Sequence, residues 1–202
     1  MKRLLIITSI FCLTVLNGQA YKNKFGIFVH AGLTSPEEKN INTSFESGFG
    51  LFYPLNHKFS LYLDCSHWKS SVERKENGLY KGKLSVSPFI LSIHYRFMKN
   101  KTISPYVFSG LGVIFNNFKI EDLITIPEVS ITQKVRTGVA LQAGIGSSIK
   151  ISNRIQLSGE IFYSFRKAKG ETIIMDMNLG PSKEEFLLNM SSFNLKIGIK
   201  YQ

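Results

Sequence analysis

The chain has 202 residues, enough for a single domain, and a formal net charge of +11 at pH 7. After the first twenty residues no stretch approaches the roughly 18 consecutive apolar residues of a transmembrane helix, and no helical period is present, so neither a helical membrane protein nor a nucleic-acid partner is expected. The basic balance suits attraction to an anionic membrane surface or, more simply, solvated loop lysines.

The first twenty residues have the three parts of a secretory signal peptide. Met1–Arg3 is basic, Leu4–Leu16 is an apolar run too short to span a bilayer as a mature helix, and Gly18–Ala20 offers small residues for cleavage. We therefore expect export, with residues 21–202 as the mature domain. Cys65 would then be the only mature cysteine, which excludes an internal disulfide.

Apolar and polar side chains alternate with a period of two in segments near the length, about 9 to 11 residues, that a tilted strand needs to cross a bilayer. The pattern predicts eight strands, at Lys24–Thr34, Thr43–Tyr53, Phe59–Lys69, Lys83–Phe97, Tyr106–Phe118, Val135–Ile151, Ile155–Ala168 and Met190–Tyr201. The breaks between them alternate in length, which places all the short turns at one end, as in outer-membrane barrels with short periplasmic turns and long external loops.

Residue size decides which face of these strands points inward. The apolar face carries Phe, Tyr, Ile, Leu and Val, whereas the polar face carries the glycines. The bore of an eight-stranded barrel is only just wide enough for side chains to fill it, so the polar face is expected inside and the apolar face against lipid. Aromatic residues are common in any strand, but their position at both strand ends predicts two girdles: Phe25, Tyr53, Phe59, Phe97 and Tyr201 near the short turns, and Phe45, Phe115, Phe165 and Phe193 near the long loops.

Pro88 stands inside the fourth strand, where it cannot donate a ladder hydrogen bond. The apolar residues Leu84 and Val86 before it are at even positions, and those in Phe89–Phe97 after it are at odd positions. Both observations predict a β-bulge that inserts one residue at Pro88. A two-residue turn at Asn77–Gly78 would agree with the register above the bulge.

The longest regular pattern, Val135–Arg166, predicts a hairpin. Odd positions are apolar on both sides of a short polar break, so odd residues should lie opposite odd residues. On the polar face this register places Gly144 opposite Phe162 and Gly146 opposite Glu160. Small side chains opposite large ones suit a narrow closed interior.

Two segments carry a likeness to a known group, Pro105–Gly112 (PYVFSGLG) and the last strand, Phe193–Tyr201 (FNLKIGIKY). With the strand layout, they make the chain from Lys24 onward resemble the small eight-stranded outer-membrane barrels of the OmpA/OmpX/OmpW-like group. The resemblance implies an all-β, eight-stranded antiparallel up-and-down transmembrane β-barrel in the bacterial outer membrane. It also implies contact with outer-membrane lipid and lipopolysaccharide and with the barrel-assembly machinery, which in that group recognises an aromatic C-terminal residue. Here Gln202 follows Tyr201.

Some barrels of this appearance are lipid-modifying enzymes, so inward Ser, His and acidic residues are candidates for chemistry. With the bulge, Asp64 would face Ser92, and Tyr62 would face His94. A triad needs an acid behind a base that touches the nucleophile, and His94 lies near the short turns, away from the rim where lipid substrates are met. We expect a histidine bonded to Tyr62, and no catalytic residue, cofactor or metal, because the other histidines lack ligand spacing.

A structural network of polar side chains is predicted inside the barrel: Glu46, Asp64, His94, Arg96, Gln142, Glu160 and Lys196. Counted in residues from the short turns, most of the charged members lie at similar heights in the barrel. Glu160 and Lys196 fall on consecutive strands, which predicts a direct ion pair. Arg96 would reach up from below and Gln142 down from above. Buried charges persist only when paired, so a plug of side chains competes with a polar ion path.

The leading functional hypothesis is a non-enzymatic integral outer-membrane protein whose barrel anchors extracellular loops for envelope stability or surface interaction. The alternatives are an OmpW-like conduit for small apolar solutes and a lipid-modifying enzyme. Apolar residues in the long loops, at 123–131, Ile173–Met175 and Phe186–Leu188, predict strands that continue above the bilayer and offer an apolar or edge surface to a partner. Packing of these residues over the barrel mouth is the competing interpretation.

Overall fold

The protein is built of antiparallel strands. The computed structural model describes residues 25–73, 81–98, 102–121, 129–176 and 180–202, so the expected signal peptide and the Asn77–Gly78 turn lie outside the described residues. The strands are β1 Gly26–Pro36, β2 Ser44–Pro54, β3 Phe59–Val72, β4 Gly82–Arg96, β5 Ile103–Ile120, β6 Val129–Val135, β7 Gly138–Lys150, β8 Ile155–Asp176, β9 Gly180–Asn189 and β10 Ser192–Tyr201. Within the described ranges no helix is long and apolar enough to cross a membrane.

Eight of these strands close into a barrel. Neighbours follow the order β1, β2, β3, β4, β5, β7, β8 and β10, and β10 pairs with β1 to complete the circle. The prediction of an eight-stranded antiparallel up-and-down barrel is therefore confirmed. All short turns lie at one end, called here the short-turn end, and the longer connections lie at the other, the long-loop end.

The strands are staggered around this barrel. A path that starts at residue 167 of β8 and steps to each cross-strand partner in turn returns to β8 at residue 157, an offset of ten residues. Its successive positions are Lys167, Val139, Val113, Phe89, Cys65, Phe49, Val29, Ile199 and Leu157. Such a stagger is what closure of a tilted, twisted sheet requires.

Odd-numbered residues face outward in all eight barrel strands. Large apolar side chains on this face are left exposed, among them Leu111 at 64 % and Ile145 at 61 %. Eight of the nine predicted girdle aromatics are exposed, and Tyr53 is half-buried against Phe25, with ring centroids 4.8 Å apart. The outer surface is thus an apolar belt with aromatic residues at both of its margins, as expected from the sequence.

The predicted bulge at Pro88 is wrong. On both sides of the proline β3 and β4 keep one register, with Cys65 opposite Phe89 and Trp68 opposite Val86. Even residues of β4, Pro88 included, therefore point inward along its whole length. The expectation failed because Leu84 and Val86, which are apolar, were assumed to face outward.

A bulge does occur elsewhere, at the junction of β6 and β7. Val135 pairs with Gly170 and Val139 pairs with Lys167, so three residues of one strand lie opposite two of the other. The Arg136 amide donates to the Lys169 carbonyl at 2.8 Å. Because of this bulge Val135 faces inward although it shares the odd parity of outward Val139, and the predicted continuous strand Val135–Ile151 is interrupted.

The strand β8 is twice as long as a membrane-crossing strand and belongs to two structures. Its first half pairs with β7 and β10 in the barrel, and its second half pairs with β6 and β9. The result is a three-stranded sheet, β6–β8–β9, that projects from the long-loop end and is called here the extension. Strands do continue beyond the barrel, as predicted, and the parts of the loops at 122–128 lie outside the described residues.

Candidate functional site

The interior is filled by three layers of side chains along the barrel axis. The layer at the short-turn end is aromatic, because even positions of five strands carry rings there. Tyr62 stacks on Phe52 and His94, with centroids at 5.4 and 3.8 Å, and Phe108 packs against Phe162 at 5.6 Å. The glycines leave room for these rings: Gly144 lies opposite Phe162, and Gly146 lies opposite Glu160, as the hairpin pattern predicts.

The middle layer contains four charged side chains. Lys196 Nζ lies 2.8 Å from Glu46 Oε1 and 3.0 Å from Asp64 Oδ2, and Arg166 Nη2 lies 4.0 Å from Glu46 Oε2. His30 Nε2 is 2.8 Å from the other oxygen of Asp64, and the Thr34 hydroxyl donates to Glu46 at 2.6 Å. Two carboxylates and two cations thus balance in charge across the bore, and Lys196 joins both carboxylates.

The predicted network is brought together only in part. Glu46, Asp64 and Lys196 share the middle layer, but the pairing differs from expectation: Glu160 accepts a hydrogen bond from Tyr106 at 2.7 Å and has Lys200 at 3.9 Å. His94 and Gln142 are buried in the lumen, whereas Arg96 is half-exposed at the short-turn end. The predicted network did not include three interior residues, Arg166, His30 and Lys200, although their even positions marked them as inward.

The layer at the long-loop end is an apolar core inside the barrel. Its buried members are Ile41, Trp68, Val72, Leu84, Val86, Ile90, Ile114, Phe118, Val135, Ala140, Ala168, Leu188 and Met190. Phe186 packs against it, while Met175 and Leu187 on the extension stay 58 % and 61 % exposed. Part of the apolar loop set therefore packs over the barrel mouth, and part stays exposed on the extension. A partner for the exposed part stays a prediction.

A cavity lies between the aromatic and charged layers. It is bordered by Tyr62, His94, Gln142, Glu160 and Lys196, among others, and leaves about 20 Å³ for the centres of water molecules. That volume holds one or two waters, since a single water needs roughly 10–15 Å³. This part of the lumen is therefore filled mainly by side chains.

Ser92 and His94, the serine and histidine candidates, are in contact, but no acidic side chain that the structure describes completes a catalytic triad with them. Ser92 Oγ lies 3.1 Å from His94 Nε2, but His94 Nδ1 has no hydrogen-bond partner among the described residues, and Asp64 binds His30 and Lys196 instead. His94 stacks on Tyr62 rather than hydrogen-bonding to it. No cluster of three or more His, Cys, Asp and Glu side chains in the described ranges could hold a metal ion.

The extension carries its own charge cluster. Glu171 Oε2 on β8 lies 3.0 Å from Nη2 of Arg136, which directly follows β6, and 2.8 Å from Nζ of Lys183 on β9. Hydrogen bonds from Lys183 and Arg136 hold the pKa of Glu171 below its usual value. The cluster links the side chains of neighbouring chain segments at an exposed face of the extension.

The architecture, with its outward apolar belt and filled bore, defines the class: the chain has the fold of the small eight-stranded outer-membrane β-barrels. The solved structure of OprG from Pseudomonas aeruginosa matches it with a TM-score of 0.66 at 18 % identity, covering 88 % of this chain and 94 % of that one. A major outer-membrane protein of Thermus thermophilus matches at 0.58 and 13 %, covering 90 % and 99 %. Outer membrane protein W of E. coli matches at 0.55 and 12 %, covering 89 % and 97 %. No family model matches the chain, and no curated protein matches its sequence.

Proposed function

We propose that the protein is a non-enzymatic integral protein of the bacterial outer membrane, whose barrel anchors the extension outside the cell. The observation that carries the proposal is the division of β8 between barrel and extension. One continuous strand that runs from the barrel into the extension connects the two without an intervening loop. The apolar belt supports the location, because large exposed apolar surfaces on this scale need a lipid partner.

The filled interior supports anchoring rather than transport. Charges across the middle of the bore exclude apolar solutes, and the apolar residues above them pack on each other instead of forming an open entry. The lack of an acidic partner at His94 Nδ1 among the described residues supports a non-catalytic role, because a general base needs a third group behind it.

Fractionation and heat-modifiability test the location. The full chain should copurify with outer membranes, and unboiled protein should migrate differently from boiled protein in a denaturing gel. A protein that remains in the periplasm, or that migrates identically in both samples, would contradict the proposal.

The anchoring role is tested by shortening the extension. Glu171 and Glu185 are cross-strand partners, so residues 172–184 can be replaced by Asn-Gly, which closes a two-residue hairpin. Leu188 and the apolar core stay intact, and the shortened protein should keep its heat shift. We expect reduced adhesion of cells that display it, and unchanged adhesion would remove the surface-interaction role.

A further inference from the structure

Seven cationic side chains point outward along one side of the long-loop end. We call this set the basic arc; all seven side chains are exposed. Its members lie on β3, β4, β5, β6 and β8 and in the bulge that follows β6: Lys69, Lys83, Lys119, Lys134, Arg136, Lys167 and Lys169. On β10, β1 and β2 the outward residues at the same end are uncharged: Phe193, Leu33, Ser35, Phe45 and Ser47. The arc is therefore one-sided.

The arc lies next to the aromatic girdle of the long-loop end. Lys167 Nζ sits 4.8 Å from the centroid of the Phe165 ring, and that ring is exposed on the apolar belt. Aromatic rings at a girdle mark the boundary between hydrocarbon and headgroups. An ammonium that rests on such a ring reaches the depth of lipid headgroups.

Like charges are placed next to each other in the arc. Lys83 and Lys119 are cross-strand partners, and the Arg136 amide bonds to the Lys169 carbonyl. Such neighbours repel unless an anion lies between them. Glu121 forms an ion pair with Lys83, and Glu171 forms one with Arg136. Within the described part of the chain, no acidic side chain forms an ion pair with Lys69, Lys119, Lys167 or Lys169.

We propose that the basic arc binds the phosphate groups of lipopolysaccharide in the outer leaflet. This inference rests on the proposed outer-membrane location and names the lipid that the protein would meet there. Four inter-strand spacings of about 4.8 Å give the arc a width of about 20 Å, wider than one phosphate needs. A glycolipid with two phosphates matches that width and the pairs of adjacent cations, because each ammonium donates up to three charge-assisted hydrogen bonds.

The test uses the folded full chain in a neutral detergent. Diphosphorylated lipid A is titrated in and its dissociation constant is measured by calorimetry at two salt concentrations. The variant K119Q/K167Q/K169Q should bind about 100-fold more weakly, at about fivefold per lysine near an anionic surface. The matched control K58Q/K150Q/R154Q removes three exposed charges at the short-turn end and should bind like the wild type.

Three outcomes would overturn the proposal: equal weakening in both triple variants, no weakening in either, or equal affinity for dephosphorylated lipid A. Equal affinity for phosphatidylglycerol would overturn the assignment to the glycolipid. Heat shifts of all variants confirm that they are folded. Fractionation decides the location independently, so failure of lipid binding and failure of the proposed location are distinguishable.

Discussion

Replacement of Lys196 by methionine should be the most damaging change in the lumen. The ammonium lies within 3.0 Å of both Glu46 and Asp64 and is 5 % exposed. Its loss leaves two buried carboxylates against one remaining cation, Arg166, and breaking a buried ion pair costs about 3–5 kcal/mol. At a urea slope of about 2 kcal/mol/M, the unfolding midpoint in lipid vesicles should fall by about 2 M.

The matched comparison is Lys200→Met. Lys200 contacts two neutral phenols at 3.2 and 3.4 Å and reaches Glu160 only at 3.9 Å, so its loss should cost about 1–2 kcal/mol. The double variant K196M/D64N should recover most of the stability, because Glu46 and Arg166 then balance. Equal midpoints for K196M and K200M, or a double variant as weak as the sum of its parts, would refute the charge-balance argument.

Three further outcomes are expected. Gly144→Val should lower the unfolding midpoint, because its Cβ would overlap Phe162, whereas Gly159→Val, which meets nothing within 4 Å, should not; equal midpoints would contradict the packing argument. Because the pKa of Glu171 is lowered in the folded state, the extension is stabilised above the unfolded carboxylate pKa of about 4.3 and loses that stabilisation as pH falls through the lowered value. Proteolysis of the extension should therefore accelerate toward about pH 3 in the wild type but not in E171Q. In planar bilayers the filled bore should give no stable porin-sized conductance, and regular large steps would show that the interior opens.

The strand layout and the hairpin register could be predicted from the sequence because each depends on local alternation. The pairing of Gly144 with Phe162 follows from parity and the position of one short turn, and the structure confirms it. The same reasoning failed at Pro88 and at Val135, because it assumed that inward side chains are polar along the whole length of the barrel. An apolar core at the long-loop end reverses that polarity, and only the three-dimensional packing reveals it.

The ion-pair partners of Lys196 and Glu160 could not be predicted from strand order alone. Lys196 is the cross-strand neighbour of Glu160, yet its ammonium contacts carboxylates on β2 and β3. A lysine side chain is long enough to cross a narrow bore, so its cross-strand neighbour does not decide its ion-pair partner. Tyr106 donates to Glu160, while the ammonium of Lys196 lies between Glu46 and Asp64.

The ten-residue stagger sets the hydrophobic thickness of membrane that the barrel suits. A stagger of ten residues at about 3.3 Å is about 33 Å along a strand, and eight inter-strand spacings of about 4.8 Å are about 38 Å across the strands. The ratio of these two lengths is the tangent of the strand tilt, which is therefore about 40°. An eleven-residue strand at that tilt rises about 28 Å, close to the hydrocarbon thickness of a bilayer. A two-residue change in stagger would alter this height by about 2 Å, so mismatch with the bilayer opposes any slip in register.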